Sequence, residues 1–152
     1  MKETSIVISK GLRLTALLLM AAMALALAGC THNNGDIGPI FGQWQLRSIT
    51  PDTDGAQPPA LPEDAEMYWA FQSSTVRVDL CLPRHEVRSS YGNYRLTDET
   101  LFLDFPDESY PQLIPGAGRQ SQWQLLRLSG SELTLRLTDA DGQASVWKFR
   151  KW

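Results

Sequence analysis

The chain has 152 residues, with 14 lysines and arginines against 17 aspartates and glutamates, and two cysteines. That length holds one domain of ordinary size. An acidic balance without a basic stripe argues against a nucleic-acid partner, and two cysteines are too few for a disulfide-built scaffold.

The first thirty residues read as a targeting segment. Lys2, Lys10 and Arg13 give a positive start, and Leu14 to Leu27 is then apolar and uncharged. A basic region followed by a short apolar one is a secretory signal, and the run falls short of the roughly 20 residues a spanning helix needs. It closes on Leu27-Ala28-Gly29-Cys30, which resembles the bacterial lipobox, where the chain is cut before a cysteine whose thiol carries a diacylglycerol. Small residues at Ala28 and Gly29 let the backbone enter a protease cleft. Residues 1–29 are therefore expected to be a lipoprotein signal peptide, and residues 30–39 a lipidated Cys30 with a flexible tether. Thr31 to Pro39, THNNGDIGP, is polar and rich in breakers, and reaches at most about 30 Å. The resemblance places the protein in a bacterial cell envelope, with membrane lipid as its partner through acylated Cys30. Thr31, where an aspartate would favour inner-membrane retention, points to the outer membrane. Cys81 is left without a second thiol for an intramolecular disulfide.

From residue 40 onward the pattern is alternation at period two, the mark of half-buried strands. Ile40–Ile49 sets Trp44 and Leu46 against Gln43, Gln45 and Arg47, and a proline- and aspartate-rich loop follows over Thr50–Asp64. Glu66–Gln72 sets Met67, Trp69 and Phe71 on one face. A tight Ser73-Ser74 turn leads to Thr75–Leu82, with Val76, Val78, Leu80 and Leu82 together. Pro83–Glu86 turns into a weaker strand, Val87–Leu96. Thr97–Thr100 turns into Leu101–Phe105. Pro106–Arg119 is a long loop with three prolines and two glycines. Gln122–Leu128 passes through SGSE to Leu133–Thr138, Asp139–Gly142 is a hairpin signal, and Ala144–Trp152 is the last strand.

These are eight strands joined mostly by short loops, so sequential neighbours run antiparallel. An eight-stranded meander carries two exposed edges unless its first and last strands pair. Closing it gives an all-β, antiparallel up-and-down barrel over residues 40–152, its interior just wide enough for side chains or one small ligand. The alternative is a two-sheet sandwich. Contact between Gln43–Ile49 and Ala144–Trp152 distinguishes the two.

Gly42-Gln43-Trp44 resembles the glycine-x-tryptophan signature of the lipocalin group. The ordered set GQW, MYWAFQ, YGNYRLTDETLFL, WQLLRLSGSELTLRLTDADG and WKFRKW is similar to bacterial lipocalin-like lipoproteins. The resemblance implies that Trp44 closes one barrel end under a basic side chain of the last strand. Arg150 is the candidate partner, with Lys148 and Lys151 behind it. The later threonine-aspartate-tyrosine motif, the disulfide and the C-terminal helix of larger lipocalins have no counterpart here, so architecture transfers better than ligand carriage.

Little points to catalysis. Cys81 and His85 lie four apart across Pro83, with no oxyanion element to complete a thiol–imidazole site. Cys81, His85 and Glu86 would need to converge to hold a metal, and no metal or cofactor is expected. Asp139-Ala140-Asp141-Gly142 opens like a calcium loop but lacks the later ligands. Asp104, Asp107 and Glu108 read as a solvated rim. No P-loop, dinucleotide glycine pattern or GxSxG is present. The aromatic residues are the candidates for a ligand-lined lumen: Trp44, Trp69, Phe71, Tyr94, Trp123 and Trp147, with Tyr91 beside them. Tyr110, Leu113 and Ile114 make the Pro106–Arg119 loop a candidate lid, since long loops are often functional. Two expectations follow, both non-enzymatic. In one, an anchored barrel binds a small apolar or amphipathic ligand. In the other, an envelope module with a filled barrel binds a protein or glycan through its loops.

Overall fold

The computed structural model describes residues 38–55, 57–108 and 111–152, all within the unit Ile37–Trp152. The signal segment, Cys30, His32 and Tyr110 lie outside the described residues. Eight strands follow in order: β1 Gly42–Pro51, β2 Glu66–Gln72, β3 Thr75–Leu82, β4 Glu86–Leu96, β5 Thr100–Asp104, β6 Gln120–Leu128, β7 Glu132–Thr138 and β8 Ala144–Lys151. Each pairs antiparallel with the next, and β1 pairs with β8 to close the barrel. The seam runs from Trp44 opposite Lys151 to Pro51 opposite Ser145. A sandwich is thereby excluded.

The first strand begins at Gly42 rather than Ile40. Phe41 N–H donates to Gly38 O at 2.9 Å, so the chain turns before β1. Ile40 folds under the barrel, where its carbonyl accepts the Trp44 Nε1–H at 2.7 Å.

Alternation decides which side chains fill the interior. Met67, Trp69 and Phe71 of β2, Val76, Val78 and Leu80 of β3, Leu101 and Leu103 of β5, Leu133, Leu135 and Leu137 of β7, and Trp147 and Phe149 of β8 form one buried cluster. Two strands keep this pattern through a β-bulge. In β1, Leu46 pairs with Phe149 and Ile49 with Trp147, the register slipping at Arg47. In β6, Leu125 pairs with Leu135 and Leu128 with Leu133, slipping across Leu126. Leu46 and Ile49, like Leu125 and Leu128, are three residues apart, so strict alternation would put them on opposite faces. One extra residue restores both to the inside.

Gly92 of β4 marks a close approach: a Cβ there would lie 2.4 Å from Asp104 O and 2.7 Å from Phe105 Cδ1. The strands alternate in direction, so the long loops β1–β2 and β5–β6 share one end of the barrel. The start of β1, the β6–β7 turn and the C-terminus share the other.

Candidate binding cleft at the barrel mouth

The aromatic candidates for a lumen lie inside the barrel, packed against one another. Trp44, Trp69, Trp123 and Trp147 are each 0% exposed and Phe71 is 1% exposed. Trp69 and Trp123 meet edge to face at 5.3 Å between centroids, and Trp123 and Trp147 at 5.2 Å. Trp69 also lies 4.8 Å from Phe149. These separations are those of favourable aromatic pairs. Tyr94 stands at the closed end, half-buried, 5.0 Å from Phe71. Tyr91 is on the opposite parity and points outward.

Three of the four interior tryptophans have an acceptor placed by the sequence. Trp123 Nε1–H donates to Ser121 Oγ at 2.9 Å, and Trp147 Nε1–H to Ser145 Oγ at 3.0 Å. A serine two residues earlier on a strand shares the tryptophan's face, so Ser-x-Trp carries its own partner. Trp44 uses the Ile40 carbonyl. Trp69 has Met67 in the corresponding place, and its buried Nε1–H has no partner among the described residues.

Trp44 does lie under a cation, but the cation is Lys151 and not Arg150. Lys151 Nζ is 5.0 Å from the indole centroid and donates to Phe41 O at 2.7 Å. On β8 the inward set is Trp147, Phe149 and Lys151, whereas Lys148 and Arg150 point outward. The partner is thus fixed by parity from Trp147.

The β5–β6 loop is seated on the mouth. Leu113 is 8% exposed and Ile114 3%. The Arg119 guanidinium ties the loop's two arms together, donating to Asp107 O at 2.7 Å and Glu108 O at 3.1 Å. Gly116 packs near Pro59 of the β1–β2 loop and Leu137 of β7, so both long loops cover the same end.

Beside that cover lies a cleft. β1 pairs with β2 only from Gly42 to Gln45; beyond the bulge it stays with β8 and diverges from β2. The gap between β1 and the Pro58–Met67 segment has a volume of about 410 Å³. Leu46, Ile49, Leu61, Ala65 and Met67 give it apolar walls, and Gln45, Arg47 and Glu66 line its outer side. Gln45 is 6% exposed. Its Nε2 donates to Tyr68 Oη at 3.1 Å, and the Tyr68 hydroxyl donates to Glu66 Oε2 at 2.8 Å. Burial, and then the hydrogen bond to Glu66, raise the Tyr68 phenol above its usual pKa, so it stays a donor. The Gln45 Oε1 is buried with no partner among the described residues. An unpaired buried acceptor is costly. Nothing in the strand alternation singles out this cleft. Its one signal is the three-residue spacing of Leu46 and Ile49, which marks the bulge.

Cys81 and His85 do not form a site. Cys81 is half-buried in β3, its thiol pKa raised by burial and then by Asp79 and Glu66, which disfavours the thiolate. His85 is exposed on a turn with φ of 63°. Among the described residues no three His, Cys, Asp or Glu converge as metal ligands.

A family model described as "Lipocalin-like domain" matches residues 24–140. The chain is similar to the crystal structure of a lipocalin-like protein from Bacteroides uniformis, with a TM-score of 0.56 and 21% identity over 76% of this chain and 100% of that one. It is also similar to an uncharacterized protein from Bacteroides eggerthii, with a TM-score of 0.55 and 18% identity over 74% and 98% of the two chains. At these identities the likeness is one of fold. No curated protein matches the chain.

Proposed function

For a chain that belongs to the lipocalin-like domain family, we propose the role of a membrane-anchored, non-enzymatic binding protein that holds one small amphipathic molecule in the mouth cleft. The observation that carries this reading is the cleft itself. Its volume of about 410 Å³ falls in the range of small-ligand sites, which pair apolar walls with a few placed polar groups. An apolar body would rest on Leu46, Ile49, Leu61 and Met67, and a hydroxyl or amine N–H would meet the Gln45 carbonyl. The rings that fill the lumen support a ligand at the mouth and not in the interior.

The test is a titration with 1-aminoanthracene, an apolar fluorophore bearing an amine donor. Ala65→Trp, which fills the cleft, is expected to abolish saturable binding. Gln45→Leu should weaken it by about five-fold, the loss of one hydrogen bond of about 1 kcal/mol. Equal affinity in Ala65→Trp and the parent chain would overturn the proposal. The packed lumen favours a second reading, an envelope module whose loops bind a protein or glycan, and a parent chain that binds no fluorophore supports it.

Anchoring at Cys30 belongs to the same proposal. The charge pattern and the Leu27–Cys30 motif support it, and two or three acyl chains hold a protein stably where one does not. Incorporation of a fatty-acid analogue is expected in the parent chain and not in Cys30→Ser; label retained in Cys30→Ser removes the anchor.

A further inference from the structure

The outer wall of β1, β8, β7 and β6 carries a groove of about 520 Å³ lined by Arg47, Arg127, Lys148 and Arg150, with Glu132 the one carboxylate. In a chain with more acidic than basic residues, this is a local reversal of sign. The register builds it. Ser48, Lys148, Thr134 and Arg127 form a single row across the four strands, each opposite the next. Arg150 stands in the adjacent row, opposite Gln45 on one side and Glu132 on the other. The two β-bulges fall at Arg47 and Leu126, one at each flank, and bulges bend the strands that carry them.

The charges are not neutralised within the fold. Glu132 is engaged by Arg127 at 3.1 Å. Arg47, Lys148 and Arg150 have no ion-pair partner among the described residues. The hydroxyls of Ser48 and Thr134 likewise carry no hydrogen bond there. The register sets Lys148 between Ser48 and Thr134, with no carboxylate opposite it. Guanidinium forks match the oxygens of phosphate, an ammonium adds a point charge, and hydroxyls supply further donors.

We propose that this groove is a binding site for a phosphate-type oxyanion, carried on a soluble phosphate ester or on a lipid headgroup. Arg150, free of Trp44, and Lys148 are its central cations. The site lies on the outer wall and shares Arg47 and Ser48 with the rim of the mouth cleft, whereas Lys148 and Arg150 line the groove and not the cleft.

The test is an amide NMR titration of the full chain at low salt with two probes. One is glycerol 3-phosphate, a monoester; the other is dihexanoyl phosphatidylglycerol below its micelle concentration, a diester headgroup. Saturable shifts at Ser48, Thr134, Lys148 and Arg150 are expected, tighter for the monoester if the source is soluble and for the diester if it is lipid. Lys148→Gln with Arg150→Gln should weaken binding about a hundred-fold, since two charge-assisted hydrogen bonds are lost. Glu132→Gln should tighten it, an outcome that a folding defect does not produce. No saturable shift with either probe, or an affinity unchanged in the double variant, overturns the site.

Discussion

Trp44 shows how one residue closes a barrel. Its indole is fully buried, its N–H is fixed by Ile40 and its face is covered by Lys151. Replacing it by alanine is expected to cost about 3–5 kcal/mol, the range for large buried aromatics. Lys151→Met keeps the aliphatic stem over the ring and removes the cation and its bond to Phe41 O. That change is expected to cost only about 0.5–2 kcal/mol. Urea unfolding of the two variants checks both figures, and a loss below about 1 kcal/mol for Trp44→Ala would remove Trp44 from its role as plug. The sequence places Trp44 at the start of the first strand, but the choice between three neighbouring cations depended on strand parity. Lys148 and Arg150 share a face, and Lys151 takes the other.

At the scale of the element, the hairpin between β7 and β8 is written locally. Asp139 Oδ1 accepts from Asp141 N–H at 3.0 Å and from Gln143 N–H at 2.8 Å. Gly142 supplies the φ of 79° that a side chain would resist. Asp139→Ala removes both bonds and is expected to lower stability by about 1–2 kcal/mol, whereas Asp139→Asn keeps the acceptor and most of the stability. Thermal melts of the pair read the difference. The strand bounds were legible in the same local way, because alternation and turn residues report them within a few positions. The bulges were less so. Their trace, two leucine or isoleucine residues three apart, conflicts with alternation, and which residue is extruded depends on the partner strand.

At the scale of the whole molecule, three acidic side-chain hydrogens among the described residues are held more tightly in the folded state. Burial is the leading cause at Cys81, Tyr68 and Tyr94, and each is raised from ordinary values of 9.0, 10.0 and 10.0. The folded chain therefore binds more protons than the unfolded chain at alkaline pH. By linkage this stability is complete below the ordinary thiol value and falls as pH rises through the raised values. Denaturation midpoints are expected to be flat between pH 7 and 8.5 and to drop progressively above about pH 9. Cys81→Ala should delay the onset of that drop, and an unchanged onset removes Cys81 from the effect.

The sequence by itself determined the eight strands, the up-and-down order and the apolar faces, because each is a local matter of periodicity and turn chemistry. It also made Trp44, Trp69, Phe71, Trp123 and Trp147 candidates for a common interior, with Tyr94 and with Tyr91, which points outward. Only the tertiary structure decided what that interior holds. Whether large rings leave room for a ligand depends on how they interlock, and here edge-to-face packing fills the space. The mouth cleft and the basic groove were hidden for the same reason. Each is assembled from residues far apart in the chain, Gln45 with Met67 or Ser48 with Arg127, and proximity of that kind comes from register across several strands.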